Sequence, residues 1–341
     1  MPKHNKVNLG EYRDVWVIVE HAAGKAAPVS WECLRAGREL VASLGGQLAV
    51  VVIGDSGVRF ATDAFAYGAD VAYMIDGPAF KHYRTEAHLL ALKHLVQMYH
   101  PEVLLMGATA TGCDLSAALA VELQTGLAAD CTHLSVEMPR RMLQMTRPVH
   151  GGHALATLVC ERQRPQIATV RPRVLPLPVR RTGHMGRIER VEFKLKETDI
   201  AGRILGFSPH AASNERLAEA EVIVAIGRGL GSAAHLPMVE ALARALGGVL
   251  GATRAAVARG WLPATRLIGA TGMTVRPRLY LAIGISGASR HLAGMRDAGT
   301  IIAINRDPDA PIFAIATHGV IGDLCQVVPE MTRQVINKIV R

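Results

Sequence analysis

The chain has 341 residues, of which half are apolar and only 4% are aromatic. This length is enough for two domains, and the scarcity of aromatic residues means that both cores must be aliphatic. We find no apolar run of the length that a membrane span needs, and no secretory signal after the polar first residues. These features favour a cytoplasmic α/β protein.

The positive charge is concentrated in one stretch of the chain. Lysine and arginine exceed aspartate and glutamate by nine overall, and 14 basic against five acidic residues lie between Pro139 and Arg203. A nucleic-acid partner would require such a stripe. Because the stretch has no interleaved aromatics beyond Phe193 and matches no nucleic-acid module, a solvated or partner-covered strand face is favoured. We expect no nucleic-acid partner.

Metal ligands are not indicated by the spacing of cysteines and histidines. The five cysteines contain no C-x-x-C pair, which argues against zinc and iron–sulfur sites and suits reduced thiols. His150 and His153 are separated by two glycines and have no third ligand nearby, so a turn is favoured over a metal site. The cysteines are Cys33, Cys113, Cys131, Cys160 and Cys325.

Buried strands alternate with helices over the first 130 or so residues. Such alternation predicts a doubly wound unit with a parallel sheet. The turn Gly107–Asp114 could hold a phosphate or simply precede a helix, with Asp114 as a helix-start charge. The predicted strands span 15–19, 47–53, 71–75 and 103–106, and the predicted helices span 28–44, 58–67, 85–99 and 115–123.

Shorter strands follow, predicted at 155–160, 166–170 and 188–195. The proline-rich segment Arg171–Pro178 cannot lie in the centre of a sheet, so we expect an edge or crossing segment. A linker-like stretch, Ser208–Asn214, predicts a boundary between residues 1–204 and 205–341.

The last third repeats one pattern, in which an apolar run is followed by small residues and then a polar or basic one. It begins with the strand 222–226 and the turn Gly227-Arg-Gly229. Glycine turns expose backbone amides that attract an anion, and Ser286 and Thr271 can add hydroxyl donors. Arg228 or Arg254 could supply positive charge, so the pattern favours a pyrophosphate ligand at the carboxyl ends of parallel strands.

These motifs carry a family resemblance. The runs Gly251-Ala-Thr-Arg-Ala-Ala-Val257, Ala303-Ile-Asn-Arg-Asp-Pro-Asp-Ala-Pro-Ile-Phe313 and Val327-Val-Pro-Glu-Met331 resemble the alpha subunit of electron transfer flavoproteins. Upstream, Thr125-Gly-Leu-Ala-Ala-Asp-Cys131 and Gln166-Ile-Ala-Thr-Val-Arg-Pro172 resemble the first domain of that family. The resemblance implies a Rossmann-like FAD-binding domain after a nucleotide-hydrolase-like domain that holds no nucleotide and supports a subunit interface.

The resemblance also assigns roles. Arg254 would lie beside the reactive central-ring nitrogen of the flavin, and His291 would donate to the pyrimidine carbonyl. Asn305 and Asp323 would suit the adenosine end, whereas Asp307 is expected in a turn. The remaining implied cofactor-binding residues are Arg228, Gly229, Thr253, Gly269, Ala270, Thr271, Gly272, Gly284, Ser286, Gly287, Ala288 and Arg290.

Two departures from the family pattern affect this site. The family usually has Gly-Gln-Thr-Gly where this chain has Gly269-Ala-Thr-Gly272, so a flavin-facing amide is lost at Ala270. Arg290 replaces the glutamine that usually precedes the histidine. An inward-pointing Arg290 would raise the flavin potential, and an outward-pointing one would replace only a contact at the phosphate edge.

Three functions are compatible with these motifs. The first is an electron carrier without substrate chemistry, in a heterodimer with a beta subunit that binds AMP, between flavin dehydrogenases such as those of acyl-CoA oxidation and a quinone oxidoreductase. The second is a subunit of a bifurcating complex that oxidises NADH. The third is an NAD(P) enzyme, although Gly227-Arg-Gly-Leu-Gly-Ser232 lacks the last glycine of the G-x-G-x-x-G pattern.

Overall fold

The computed structural model describes residues 9–55, 57–149, 154–181, 183–206, 217 and 220–339. The chain divides into two compact units, Met1–Phe207 and Ser208–Arg341. The linker-like stretch Ser208–Asn214 and the His150 and His153 pair lie outside the described residues. Within the described part, none of the helices has both the length and the apolarity of a membrane span.

The first unit is built on a seven-stranded parallel sheet with the order β12-β5-β4-β1-β6-β11-β7. Its central strands are mostly apolar because apolar clusters cover both faces of the sheet. The strands of this unit are β1 Arg13–Ile18, β2 His21–Ala22, β3 Lys25–Ala26, β4 Leu48–Ile53, β5 Val71–Ile75, β6 Pro101–Gly107, β7 Leu127–Cys131, β8 His133–Glu137, β9 Met142–Val149, β10 Ala154–Leu158, β11 Gln166–Val170 and β12 Arg187–Arg190.

The helices of the first unit agree with the sequence predictions to within one residue at each end, except at the start of the fourth helix. Proline at the first position begins the helix at Pro28, and Gly45 ends it with a φ of 74°. The helix predicted at 115–123 begins instead at Ala110, where Thr109 caps it by accepting from the Gly112 N–H at 3.0 Å. The four helices are α1 Pro28–Leu44, α2 Gly57–Ala66, α3 Thr85–Tyr99 and α4 Ala110–Glu122.

A small antiparallel sheet, with the order β10-β9-β8, accompanies the main sheet. After β11 the chain leaves the main sheet and returns at its opposite edge as β12. The segment Arg171–Pro178 forms no strand, which confirms the prediction of a crossing segment. The strand predicted at 188–195 is shorter and ends at Arg190.

Part of the basic stretch is used inside the first unit. Arg141 binds the buried carboxylate of Glu102 through both ends of its guanidinium, and Arg171 binds Asp130 at 2.6 Å and 2.9 Å. Arg164 is buried and donates to backbone carbonyls. These arginines therefore serve packing and hydrogen bonding rather than a free basic surface.

The second unit is a five-stranded parallel sheet with the order β14-β13-β15-β16-β17. Its order reverses between β13 and β15, so this sheet is also doubly wound, as the sequence predicted. Apolar clusters lie on both of its faces. The elements are β13 Val222–Ile226, α5 Leu236–Ala245, β14 Val249–Ala252, α6 Arg254–Ala258, β15 Leu279–Ile283, α7 Ser289–Leu292, β16 Thr300–Asn305, β17 His318–Ile321 and α8 Leu324–Ile339.

Candidate cofactor site

A cavity of about 540 Å³ lies at the carboxyl ends of β13, β14, β15 and β16. This is the edge of the sheet at which its strand order reverses, where open parallel sheets bind ligands. The cavity brings together most of the residues that the resemblance assigned to the cofactor. Those that line it are Arg228, Gly229, Thr253, Arg254, Gly269, Thr271, Gly284, Ser286, Ala288, Arg290, His291 and Asn305.

Close backbone approach explains the glycines between β13 and β15. A Cβ atom on Gly227 would lie 2.3 Å from the carbonyl oxygen of Gly284, and one on Gly229 would lie 2.7 Å from it. Gly284 itself has a φ of 62°, which favours glycine. These turns let two loops meet behind the cavity without side chains filling it.

Positive charge and one unpaired hydroxyl characterise the cavity. Arg228, Arg254 and Arg290 line it, and Asp307 is the one acidic residue in its described lining. Arg254 donates a short hydrogen bond to the hydroxyl of Thr271. The buried Thr253 hydroxyl has no hydrogen-bond partner among the described residues. Buried polar atoms are normally satisfied, so this hydroxyl fits a polar ligand group.

His291 lies deeper than the resemblance suggested. Its side chain is buried, its Nδ1 atom lies 3.1 Å from the carbonyl oxygen of Ile268, and its Nε2 atom lies 2.9 Å from the hydroxyl of Tyr280. Burial lowers the pKa of His291 to about 4. The neutral ring therefore has no N–H left for a ligand, so the structure does not support the donor role expected for His291, although the residue does line the cavity.

Four residues expected at the cofactor do not line the cavity: Ala270, Gly272, Gly287 and Asp323. The Asp323 carboxylate binds Arg306 at 2.6 Å and accepts from the backbone N–H of Cys325 at 2.9 Å. It is therefore bound to a neighbouring side chain and caps α8, outside the described lining of the cavity.

The other three act through the backbone. Ala270 donates its N–H to the carbonyl oxygen of Arg290 at 2.7 Å, and Gly272 closes a turn on Gly269 at 2.9 Å. Gly287 has a φ of 92°, and a Cβ atom there would lie 2.3 Å from the backbone nitrogen of Ile312. These positions shape the loops around the cavity and present no side chain to it.

Sequence reasoning missed the apolar wall of the cavity. Ala255, Ala258, Leu267, Ile268 and Ile285 contribute to it, and Gly227 completes the first glycine turn. Small aliphatic residues look the same in a core and in a ligand pocket, so only their position after strand ends could have indicated this role.

Asp307 was expected in a turn, and its carboxylate does accept from the backbone N–H of Asp309 at 3.0 Å. It also lines the cavity, a role that no sequence motif indicated.

In the first unit, a carboxylate of the chain itself lies at the carboxyl ends of the parallel strands, the position equivalent to the cavity of the second unit. Glu20 follows β1 and accepts a short hydrogen bond from Thr109 at the start of α4. Burial raises the pKa of Glu20.

Asp114 lies beyond the first turn of α4, where it accepts from Tyr83 at 2.6 Å, so its predicted helix-start role was wrong. Among the described residues we find no cluster of metal-ligating side chains.

A basic, glycine-rich cavity at the switch point of a doubly wound sheet defines a dinucleotide-binding protein. Two family models match the chain: the electron transfer flavoprotein domain over residues 15–196 and the electron transfer flavoprotein FAD-binding domain over residues 216–296.

Full-length relatives agree with this assignment. The chain is 41% identical to electron transfer flavoprotein subunit alpha of Thermoanaerobacterium thermosaccharolyticum over 96% of this chain and 99% of that protein. It is 46% identical to Protein FixB of Rhizobium meliloti over 94% and 92% of the two chains, and 44% identical to Protein FixB of Azorhizobium caulinodans over 97% and 90%. The chain therefore belongs to the electron transfer flavoprotein alpha-subunit family, and its cofactor is FAD.

Proposed function

We propose that the cavity of the second unit binds FAD and that the chain uses it to carry electrons between other redox proteins. The observation that carries this proposal is the lining of the cavity: three arginines and an unpartnered buried hydroxyl at the switch point of the sheet. A pyrophosphate carries two negative charges and needs donors. Arg228, Arg290 and the Thr253 hydroxyl can meet both needs.

The polar and apolar parts of the cavity suit different ends of the dinucleotide. Ala255, Ala258 and Leu267 offer apolar surface that suits a flat aromatic ring. Asn305 is the last residue of β16, and its amide donates to the carbonyl oxygen of Ile285 at 2.9 Å, which holds the side chain at the cavity edge. We assign Asn305 to the adenosine side and Arg254 with Thr271 to the ring.

Arg254 would set the electrostatics of the site. FAD supplies a ring that accepts and releases electrons singly or in pairs, and a nearby positive charge favours the reduced ring. The hydrogen bond to Thr271 restricts the position of the guanidinium. A unit charge at about 4 Å with an effective dielectric of about 20 contributes about 4 kcal/mol, an upper limit for an exposed arginine.

The electron partners and subunit partner are inferred more indirectly. Relatives are named as an alpha subunit, which supports a heterodimer with a beta subunit. We propose that the beta subunit binds AMP, that flavin dehydrogenases such as acyl-CoA dehydrogenases donate electrons, and that a quinone oxidoreductase accepts them. In this role the chain performs no substrate chemistry of its own. The comparisons do not favour NADH-driven bifurcation over this role.

We also propose a cytoplasmic location. All five cysteines lie in the described part of the chain and are free thiols, three of them buried. Free thiols are typical of a reducing compartment.

A direct test uses the chain co-expressed with its beta subunit. Bound FAD should be reduced by an acyl-CoA together with its dehydrogenase, and reoxidised by a quinone oxidoreductase. Arg254→Ala should slow reduction, whereas Arg203→Ala, an exposed arginine of the first unit, should not. Failure of several flavin dehydrogenases to reduce the FAD would contradict the carrier role, and reduction by NADH alone would favour bifurcation.

A further inference from the structure

Beneath the cavity, a buried hydrogen-bond chain links three elements of the second unit. Tyr280 on β15 is fully buried, and its hydroxyl lies 2.9 Å from Nε2 of His291 on α7. Nδ1 of the same ring lies 3.1 Å from the carbonyl oxygen of Ile268. His291 is 6% exposed and borders the cavity.

The partners of the ring determine where its proton lies. A carbonyl oxygen can only accept, so Nδ1 must carry the hydrogen that it shares with Ile268. In a neutral imidazole, Nε2 is then a lone-pair acceptor, and the Tyr280 hydroxyl is its donor. Burial lowers the pKa of His291 to about 4, so the neutral ring is the form near neutral pH.

The chain of hydrogen bonds joins two walls of the cavity. Ile268 belongs to the loop that carries Thr271, and His291 belongs to the helix that carries Arg290. A further hydrogen bond joins the same loop and helix: the Ala270 N–H donates to the Arg290 carbonyl oxygen at 2.7 Å. Gly294, just after α7, lies so close to the loop that a Cβ atom there would be 2.5 Å from Gly269 Cα.

Tyr280 holds this junction from the sheet. Its ring belongs to an apolar cluster on one face of the sheet. Its hydroxyl lies 2.9 Å from Nε2 of His291. The rigid strand therefore determines the orientation of the imidazole, and the imidazole determines the position of the loop at Ile268.

We propose that Tyr280 is a positioning residue of the cofactor cavity: its hydroxyl holds His291 as the Nδ1-protonated neutral form and thereby fixes the loop of Ile268 and Thr271 against α7. This inference rests on the proposed FAD site. It differs from a direct contact by His291, because it assigns both ring nitrogens to the protein and none to the ligand.

The proton assignment can be tested on the wild-type chain by nitrogen NMR of histidine-labelled protein in complex with its beta subunit. His291 should show a protonated Nδ1 and an unprotonated, hydrogen-bonded Nε2. In Tyr280→Phe the Nε2 resonance should move towards that of an imidazole nitrogen without a hydrogen bond. A protonated Nε2 in the wild-type protein, or an unchanged resonance in Tyr280→Phe, would overturn the assignment.

The positioning role is tested by FAD affinity. Losing one buried hydrogen bond should raise the dissociation constant for FAD about tenfold in Tyr280→Phe. Tyr99→Phe is the matched control, because it removes a phenol hydrogen bond to Glu189 in the first unit. An unchanged dissociation constant in Tyr280→Phe would refute the role. If the wild-type protein binds no FAD, the proposed function fails, while the NMR result still decides the proton assignment.

Discussion

Burial of His291 should make the second unit sensitive to acid. Its pKa is lowered to about 4 in the folded protein, against 6.5 for an unperturbed histidine. Between these values the unfolded chain binds a proton that the folded chain does not, so stability is lost as the pH falls. From ~pH 7.5 to ~pH 5 this one group should remove about 2 kcal/mol from the free energy of unfolding.

The effect can be isolated by comparing variants at the two pH values. The free energy of unfolding is measured by urea titration of the full chain, followed by circular dichroism. His291→Gln lowers the overall stability, but its loss between the two pH values should be about 2 kcal/mol smaller than that of the wild type. His88 in the first unit provides an independent case, because burial lowers its pKa also to about 4.

A matched control uses His318, an exposed histidine of the second unit, and His318→Gln should leave the acid sensitivity as it is in the wild type. If His291→Gln and the wild type lose the same free energy over this pH range, His291 is not buried in its neutral form. The hydrogen-bond chain from Tyr280 to Ile268 would then be refuted as well.

Three further predictions concern the cavity. Arg254→Ala should lower the reduction potential of bound FAD by on the order of 50 mV, because the arginine is exposed and partly screened; spectroelectrochemical titration measures this. Gly229→Ala should destabilise the fold by about 2 kcal/mol in urea unfolding, since the added carbon meets Gly284 O at 2.7 Å. Thr253→Val should raise the FAD dissociation constant about fivefold without loss of stability, because the hydroxyl has no protein partner.

Each of these has an outcome that would contradict it. An unchanged potential in Arg254→Ala would place the guanidinium away from the ring. Gly202→Ala, where the added carbon meets nothing within 4 Å, is the control for Gly229→Ala, and equal stabilities would refute the close approach. For Thr253→Val, unchanged FAD affinity would show that the hydroxyl does not face the cofactor.

Much of the fold could be predicted from the sequence because the strands are buried on both faces. Runs such as Leu48–Ile53 and Val222–Ile226 are apolar throughout and are flanked by turn residues, which indicates parallel strands in both units. The start of α4 was misplaced because Thr109 and Gly112 resemble loop residues. The capping hydrogen bond between them becomes apparent only in three dimensions.

Site residues that follow strands directly could be predicted from the sequence. Contacts between residues that are distant in the chain could not. Gly229, Arg254 and Ser286 follow strands directly, so their convergence at one edge of the sheet followed from topology. The bond between Tyr280 and His291 joins a strand to a helix through packing, and no local pattern indicates it. Asp323 fits the expected strand-end pattern, but it binds Arg306 and is not part of the described lining of the cavity.

The central claim is that FAD occupies the cavity at the switch point of the second unit. Equilibrium titration of FAD against the chain assembled with its beta subunit tests this when the wild type is compared with Ala258→Trp, whose side chain would enter the cavity. We expect the wild type to bind FAD and the variant to lose binding while remaining folded by circular dichroism. Equal FAD binding by the two proteins would contradict the account.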